Sequence, residues 1–488
     1  MGWGGRRLAR SMKLAAVGVA TLVVAASVAL AVNHFSTHRA AAGPVLARSG
    51  PPGGAPSSAA PPSSPAPPAP RPSVPTTTPA VVPATSAVST PSAAALAPAL
   101  NAALAGTNSC LVVTDGTIPI YVHQPSAPFI PASTQKLVVA AAALHVLGPD
   151  YRFSTQVLAP AEPVAGKVDS LWLRGGGDPL LASPEYIANQ APRARVGAYP
   201  WTSLDAVANA VIKAGITTVP GGIRGDDSRY EQLRYLPDWP ASYGQDQEIG
   251  ELTALPLNEG VQTWSPISTL SADPPSFAAN ELARLLVAKS VGVGPTGADQ
   301  AAPEGSVVVA EVLSAPLSQI VEAMLRASDN LIAELLLREL DRYYGNSGTT
   351  AGGLAIVMQQ AAALGLPTPG AVMQDGSGLS RRDQATCSEL LGVLDLAQKP
   401  GFQAIADGLA VAGRTGTLAA RYGGSPVAGK LRAKTGSLAN AGGMVGVLSL
   451  TRTLHFAFLI NQPLNDSQLL AKEDAIVAAL ATYPAAAG

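Results

Sequence analysis

Hydrophobic and polar positions divide the chain into stretches of different texture. Residues 14–32, LAAVGVATLVVAASVALAV, are uncharged throughout and long enough for a helix across a bilayer core. Arg6, Arg7, Arg10 and Lys13 precede them, a basic flank that stays in the cytoplasm and sends the rest of the chain outward. The same run suits a cleaved signal peptide, since Ala29-Leu30-Ala31 fits the small-x-small cleavage pattern; both readings place everything downstream outside the cytoplasm. Periodicity then disappears until about residue 101. From there an apolar strand at Cys110 to Val113, a turn at Asp115-Gly116 and a strand toward Val122 predict a hairpin. It leads into a helix within PASTQKLVVAAAALHVLG, residues 131–148.

Between residues 155 and 270, short apolar runs alternate with turn signals, as in SLWLRGGGDPLL and TTVPGGIRGDDSRY, and predict a β-rich insert. Helical spacing returns in SFAANELARLLVAKSVGV and in PLSQIVEAMLRASDNLIAELLLREL. In the latter, Ile320, Val321, Met324 and Leu325, then Leu331, Ile332, Leu335 and Leu336, flank the polar tripeptide Ser328-Asp329-Asn330. Three strand-like runs, KLRAKTGS, GMVGVLSL and LHFAFLINQP, predict an antiparallel meander, and a last helix spans roughly 471–483.

Residues 44–98 hold 16 of the 43 prolines, mixed with Ala, Ser and Thr, and positions 51–100 carry a single charge, Arg71. Such a segment buries too little apolar surface to offset its ordering entropy and favours extended polyproline II, so it reads as a disordered tether. The 488 residues are therefore expected to divide into four parts. A cytoplasmic stub with a transmembrane anchor or signal peptide covers 1–38 and a linker 39–100. A main domain is made of 101–154 plus 271–488, and the insert covers 155–270. The formal net charge of -1 announces no basic face for nucleic acid. Cys110 and Cys387 are the two cysteines. Outside the cytoplasm they either form one disulfide closing a very long loop or remain two buried thiols. Their spacing fits neither a zinc site nor a CxxC redox pair, so no metal or other cofactor is implied.

The helix after the hairpin opens with an electrostatic misplacement. A helix N-terminus carries roughly half a positive charge and disfavours a cation by about 0.3–1 kcal/mol, yet Lys136 stands one turn after Ser133. At i and i+3 the two side chains share a face. A serine hydroxyl is a weak nucleophile until a base takes its proton, and a lysine serves as that base when its pKa is lowered, which burial and the helix end both do. The alternative, an N-cap serine, lacks the Glu or Gln three residues on that completes a capping box. S-x-x-K arises by chance in many proteins. Here Ser328-Asp329-Asn330 follows 195 residues after Ser133, and Lys434-Thr435-Gly436 another 106 residues on, the three falling at a helix start, an inter-helix loop and a strand. Singly, SDN suits an N-cap cluster and KTG a strand end with a solvated lysine. In order, they are the S-x-x-K, S-D-N, K-T-G set of penicillin-binding proteins and class A β-lactamases.

The chain resembles the serine DD-peptidases and, more narrowly, the D-alanyl-D-alanine carboxypeptidase/endopeptidase family, the class C low-molecular-mass penicillin-binding proteins. ASDNLIAELLLREL, GGGDPLL, RGDDSRY, MQDGSGLSRRD and GRTGTLAARYGGSPVAGKLRAKTGSLANAGGMVG carry the narrower likeness, which covers roughly residues 105–488. The resemblance implies an α/β (α+β) fold of the DD-peptidase/β-lactamase-like transpeptidase type, with an antiparallel sheet flanked by helices and a β-rich inserted domain. It implies a membrane-anchored or secreted serine carboxypeptidase acting on peptidoglycan peptides that end in D-Ala-D-Ala, with β-lactam antibiotics as covalent inhibitors and an acyl-enzyme intermediate. Ser133 would attack the carbonyl between two D-alanines and Lys136 take its proton. Ser328 and Lys434 would relay a proton to the departing D-alanine, and Asn330 would hold the substrate's amide backbone. Lys434 and Thr435 would receive the terminal carboxylate, and the backbone N–H groups of Ser133 and Ser437 the oxyanion. Gly436 would leave room for a substrate backbone added along the strand edge. Asp226 falls where family members place a carboxylate that meets the amine of a diaminopimelate side chain, although Asp226-Asp227-Ser228 also reads as a turn.

Two departures bear on the alternatives. GGSPVAGKL has the glycine and lysine spacing of a phosphate-binding loop but continues with Leu431 instead of Ser or Thr, so the magnesium ligand is missing. No glutamate lies between Glu339 and Glu389, where a class A β-lactamase would need the residue that activates its deacylating water. A β-lactamase-type hydrolase and a non-catalytic cell-wall-binding protein on the same fold are the competing readings, and none of the three motifs is missing. Carboxypeptidase and endopeptidase activity share the same nucleophile, and the motifs do not separate them.

Overall fold

Alternate residues of the C-terminal strands bury in opposite directions, which builds a sheet covered on both faces. The structure, a computed structural model, describes residues 91–190, 199–297 and 300–484. The first half of the chain supplies helix α1 (Pro91–Leu104), strands β1 (Ser109–Asp115) and β2 (Ile118–His123), helix α2 (Lys136–Val146), and strands β3 (Ser154–Ala159) and β4 (Leu171–Arg174). Helix α3 (Leu204–Lys213), strand β5 (Ile223–Asp226), helix α4 (Pro274–Ala288) and strand β6 (Val307–Leu313) come next. Helices α5 (Leu317–Ala327), α6 (Asn330–Tyr343) and α7 (Cys387–Leu396) then precede strands β7 (Ala410–Val411), β8 (Leu431–Leu438), β9 (Ala441–Ser449) and β10 (Thr453–Asn461) and helix α8 (Asp466–Leu480).

Strands β7, β8, β9, β10, β1 and β2 lie in that order in an antiparallel six-stranded sheet. The expected meander is its centre. Met444, Leu448, Phe456, Phe458, Leu111 and Val113 face a layer formed by Leu96 and Leu100 of α1 and Ile476 and Leu480 of α8. Val445, Ala457, Leu459, Cys110 and Val112 face the opposite layer, built from α2, α5, α6 and α7. Helix α2 is apolar all round, so it is buried from Lys136 to Leu144 and carries its lysine into the core. Of the two readings of the cysteines the structure has the bridge. Cys110 and Cys387 form a disulfide, Cα–Cα 6.0 Å, which ties β1 to the start of α7 across 277 residues.

The insert contains a second sheet in the order β6, β3, β4, β5, antiparallel except between β4 and β5. Val157, Leu171, Leu173 and Ile223 of this sheet pack against Val207 and Val211 of α3 and Leu282 and Leu286 of α4. Its elements differ from the expected 155–270 bounds, because β6 lies at 307–313 and pairs with β3, and α4 joins this core. A helical repeat shows that one face is apolar; it does not say which core receives that face. The other difference concerns α1, which occupies the end of the expected linker. Leu96 and Leu100, one turn apart, bury against the main sheet despite the Pro and Ala around them. Within the insert, Leu236, Trp239 and Leu252 fold back onto Leu331 and Leu335 of α6. The apolar run at 14–32 lies outside the described residues, among which no helix is long and apolar enough to cross a membrane.

Candidate active site

Ser133 lies in a 3-10 turn, Ala132–Gln135, that runs directly into α2 at Lys136. No side chain caps either helical start, so Ser133 is not an N-cap. Ala132 adopts φ 48°, a left-handed conformation that a residue with a Cβ rarely takes. Gly378 packs against it so closely that a Cβ there would lie 1.9 Å from the Ala132 carbonyl oxygen. Lys136 is fully buried, and its Nζ donates to Ser133 Oγ at 2.9 Å, Asn330 Oδ1 at 2.7 Å and the Ser377 carbonyl at 2.5 Å. Desolvation lowers its pKa to about 8, against the opposing pull of Asp375, Glu334, Asp329 and Asp383. Burial is therefore the main reason this amine loses its proton easily.

The SDN tripeptide turns the chain between two helices while presenting two side chains. Ser328, at φ 64°, is the left-handed C-cap of α5, and Asp329 caps α6 by accepting from the Ile332 N–H at 3.0 Å. Side-chain capping thus falls to Asp329, which leaves the side chains of its two neighbours for the site. Asn330 donates through Nδ2 to the Glu248 carbonyl at 2.7 Å, and this turns its Oδ1 toward Lys136. Lys434 is also fully buried, not solvated; its Nζ donates to Ser328 Oγ at 2.8 Å and to the Thr435 carbonyl at 2.7 Å. Burial, reinforced by the charge of Lys136, holds its pKa well below the ordinary lysine range.

Strand β8 passes directly over the serine turn. A Cβ on Gly436 would lie 2.6 Å from the Pro131 carbonyl oxygen and 3.2 Å from the Thr134 nitrogen. The glycine is therefore required by the protein's own turn, a reason separate from the substrate clearance expected from sequence. Thr435 Oγ1 bonds Thr417 Oγ1 at 2.8 Å, and Ser437 is exposed. Strand β7 pairs only with Arg432 and Ala433, so among the described residues the stretch of β8 from Lys434 onward has no strand beside it on that edge.

Asp226 does not join these groups. Its buried carboxylate accepts from Arg174 Nε at 2.9 Å and the Ala302 N–H at 3.0 Å on Oδ2, and from the Ser228 N–H at 3.1 Å and Ser228 Oγ at 2.6 Å on Oδ1. Burial works against the charge, but the bonds from Ser228, Ala302 and Arg174 outweigh it and hold the pKa down. Four donors thus occupy its oxygens inside the insert, the arrangement that the turn reading expects. Sequence reasoning passed over Ser377, whose carbonyl is the third partner of Lys136, along with Glu248 and Thr417. The glycines on both sides of Ser377 in MQDGSGLSRRD were the available signal, since they mark a close backbone approach.

A family model described as D-Ala-D-Ala carboxypeptidase 3 (S13) matches residues 92–264 and 259–483. A carboxypeptidase of Mycobacterium tuberculosis is 33% identical over 348 residues, 69% of this chain and 72% of that relative. The D-alanyl-D-alanine carboxypeptidase of Actinomadura sp. (strain R39) is 28% identical over 445 residues, 75% of this chain and 79% of its own. The crystal structure of penicillin binding protein 4 from Haemophilus influenzae shares the fold with a TM-score of 0.66 at 20% identity, covering 79% of this chain and 99% of that one.

Proposed function

The chain belongs to the D-Ala-D-Ala carboxypeptidase 3 (S13) family, and on that footing we propose how its residues divide the reaction. It is a serine-type D-Ala-D-Ala carboxypeptidase, a penicillin-binding enzyme that acts on peptidoglycan stem peptides through an acyl-enzyme. Ser133 is the nucleophile. Lys136, as a neutral amine, takes the Oγ proton while Oγ attacks the carbonyl carbon of the penultimate D-alanine. The carbonyl oxygen, now negative, is received by the N–H groups of Ser133 and Ser437, a role supported by the close approach of Gly436 to the serine turn. The substrate's terminal carboxylate, held by Lys434 and Thr435, favours the ammonium form of Lys434, and as the C–N bond breaks the departing D-alanine takes a proton through Ser328 from that ammonium. The open edge of β8 receives the peptide backbone, and Asn330 holds an amide of the substrate. Water then cleaves the ester and restores the Ser133 hydroxyl, and the proton gained at Lys136 and lost at Lys434 re-equilibrates between the two amines.

The observation that carries this reading is the convergence of three motifs on one buried amine pair, with Lys136 Nζ 2.9 Å from Ser133 Oγ. The enzyme works outside the cytoplasm, in keeping with its disulfide. We further propose that residues 14–32 act as a membrane anchor or a cleaved signal peptide, that the proline-rich stretch is a spacer, and that residues 154–313 are the insert in a catalytic domain made of 91–153 and 314–484. Incubating the purified protein with labelled penicillin tests the assignment. A stable adduct in the wild type that vanishes in Ser133→Ala is expected. Absence of label, label that survives the substitution, or rapid turnover of the antibiotic in place of an adduct would each overturn it.

A further inference from the structure

One turn along α6 from Asn330 stands Glu334, fully buried and outside all three motifs. At i and i+4 the two side chains share a helix face. Glu334 Oε1 accepts from the backbone N–H groups of Gly376 at 2.9 Å and Ser377 at 2.7 Å. The backbone held in this way presents the Ser377 carbonyl to Lys136 Nζ at 2.5 Å, with Ser133 Oγ at 3.5 Å. There is little slack around it, since a Cβ on Gly376 would lie 2.9 Å from the Ala333 carbonyl oxygen. From the other side, Asp375 accepts from the Gly378 N–H at 2.7 Å and the Ser380 N–H at 2.6 Å. The buried carboxyl of Glu334, its pKa pushed up by desolvation and by Asp375, is not what packing alone selects.

A neutral lysine has two N–H bonds and one lone pair, so its orientation depends on which neighbours accept. If Asn330 Oδ1 and the Ser377 carbonyl take the two N–H bonds, the lone pair is left for the third neighbour, the Ser133 hydroxyl. Without the Ser377 carbonyl, an N–H turns toward Ser133 and the lone pair turns away from the proton it must accept. We infer that Glu334 is a positioning residue, whose oxygen holds the 376–377 backbone so that the Ser377 carbonyl aims the Lys136 amine at Ser133. This rests on the reading of Lys136 as the base.

The test separates reach from ionisation. Glu334→Gln keeps an acceptor oxygen at the same distance and cannot ionise, whereas Glu334→Asp keeps the carboxyl and withdraws the oxygen by one methylene. Glu334→Met fills the same volume with no acceptor and is the second variant should Glu334→Asp fail to fold. Rapid acylation of the full-length protein by labelled penicillin, scaled to the folded fraction, yields the limiting rate and the non-covalent dissociation constant separately. Glu334→Gln should keep a near wild-type limiting rate, while Glu334→Asp and Glu334→Met lose about 100-fold in that rate with unchanged dissociation constants. A wild-type rate in Glu334→Asp and Glu334→Met, a loss in Glu334→Gln equal to theirs, or a loss residing in the dissociation constant would overturn the proposal. Lys136→Met, measured alongside, tells the two failures apart: wild-type acylation there removes the base assignment itself, whereas an inert Lys136→Met beside an active Glu334→Asp removes only the role of Glu334.

Discussion

Titrating Lys136 tests the central feature of the site, an amine kept deprotonated by burial. The fall of its pKa from 10.5 to about 8 corresponds to about 3 kcal/mol against the ammonium. At pH 7, about one molecule in ten then holds the free amine, against roughly one in three thousand for a lysine at its ordinary value. The rate of acylation by a labelled penicillin should rise about tenfold per pH unit and level off near pH 8. The charge balance around the amine supplies a second, signed perturbation. Desolvation lowers the pKa while Asp375, Glu334, Asp329 and Asp383 raise it, so removing one of these charges should lower it further. Asp329→Asn is the cleanest choice, because asparagine caps a helix about as well as aspartate and the Ile332 N–H keeps its acceptor. The acid limb in that variant should move to lower pH. An acid limb near the ordinary lysine value of about 10.4 in the wild type, or a move to higher pH in Asp329→Asn, would refute the reasoning. Stability carries the same sign. Because the folded-state pKa lies below the unfolded one, the penalty from Lys136 is full below about pH 8 and disappears as pH rises toward about 10.4.

Gly436→Ala places a methyl group 2.6 Å from the Pro131 carbonyl oxygen; it should lower stability by about 1–3 kcal/mol and slow acylation, as read by thermal unfolding and penicillin labelling. Cys387→Ser opens a covalent loop spanning 277 residues and should lose on the order of 5 kcal/mol, visible as a lower denaturation midpoint that reductant no longer changes. Asp226→Ala strips four donors of their acceptor and should lose about 3–5 kcal/mol while acylation per folded molecule stays the same. If Asp226→Ala instead kept wild-type stability and selectively lost substrates bearing a diaminopimelate amine, the binding role expected from sequence would be supported.

Legibility in the sequence followed the range of the forces involved. Strands around Cys110, in KLRAKTGS, GMVGVLSL and LHFAFLINQP, and the helices flanking SDN were visible because alternation and helical spacing are local patterns. The packing partners of those elements were not. Helix α4 has the periodicity of any amphipathic helix, and only the completed structure shows that Leu282 and Leu286 belong to the insert's core. Leu96 and Leu100 were hidden by composition, since a proline-rich average says nothing about two leucines one turn apart that find a hydrophobic face. Asp226 stayed open between a turn and a binding group for a related reason: a carboxylate in a turn looks available until its donors, one of them Ala302 far along the chain, are brought to it.

The sequence by itself determined the order of the three motifs, the export of the chain and the pairing of a serine with a lysine on one helical face, because each depends on residue identity at short spacing. Only the tertiary structure decided what that lysine is. The burial that lowers its pKa comes from the layers closing over α2, and its partners Asn330 and Ser377 arrive from 194 and 241 residues away. Desolvation and hydrogen-bond direction are properties of a packed interior, and no local pattern encodes them.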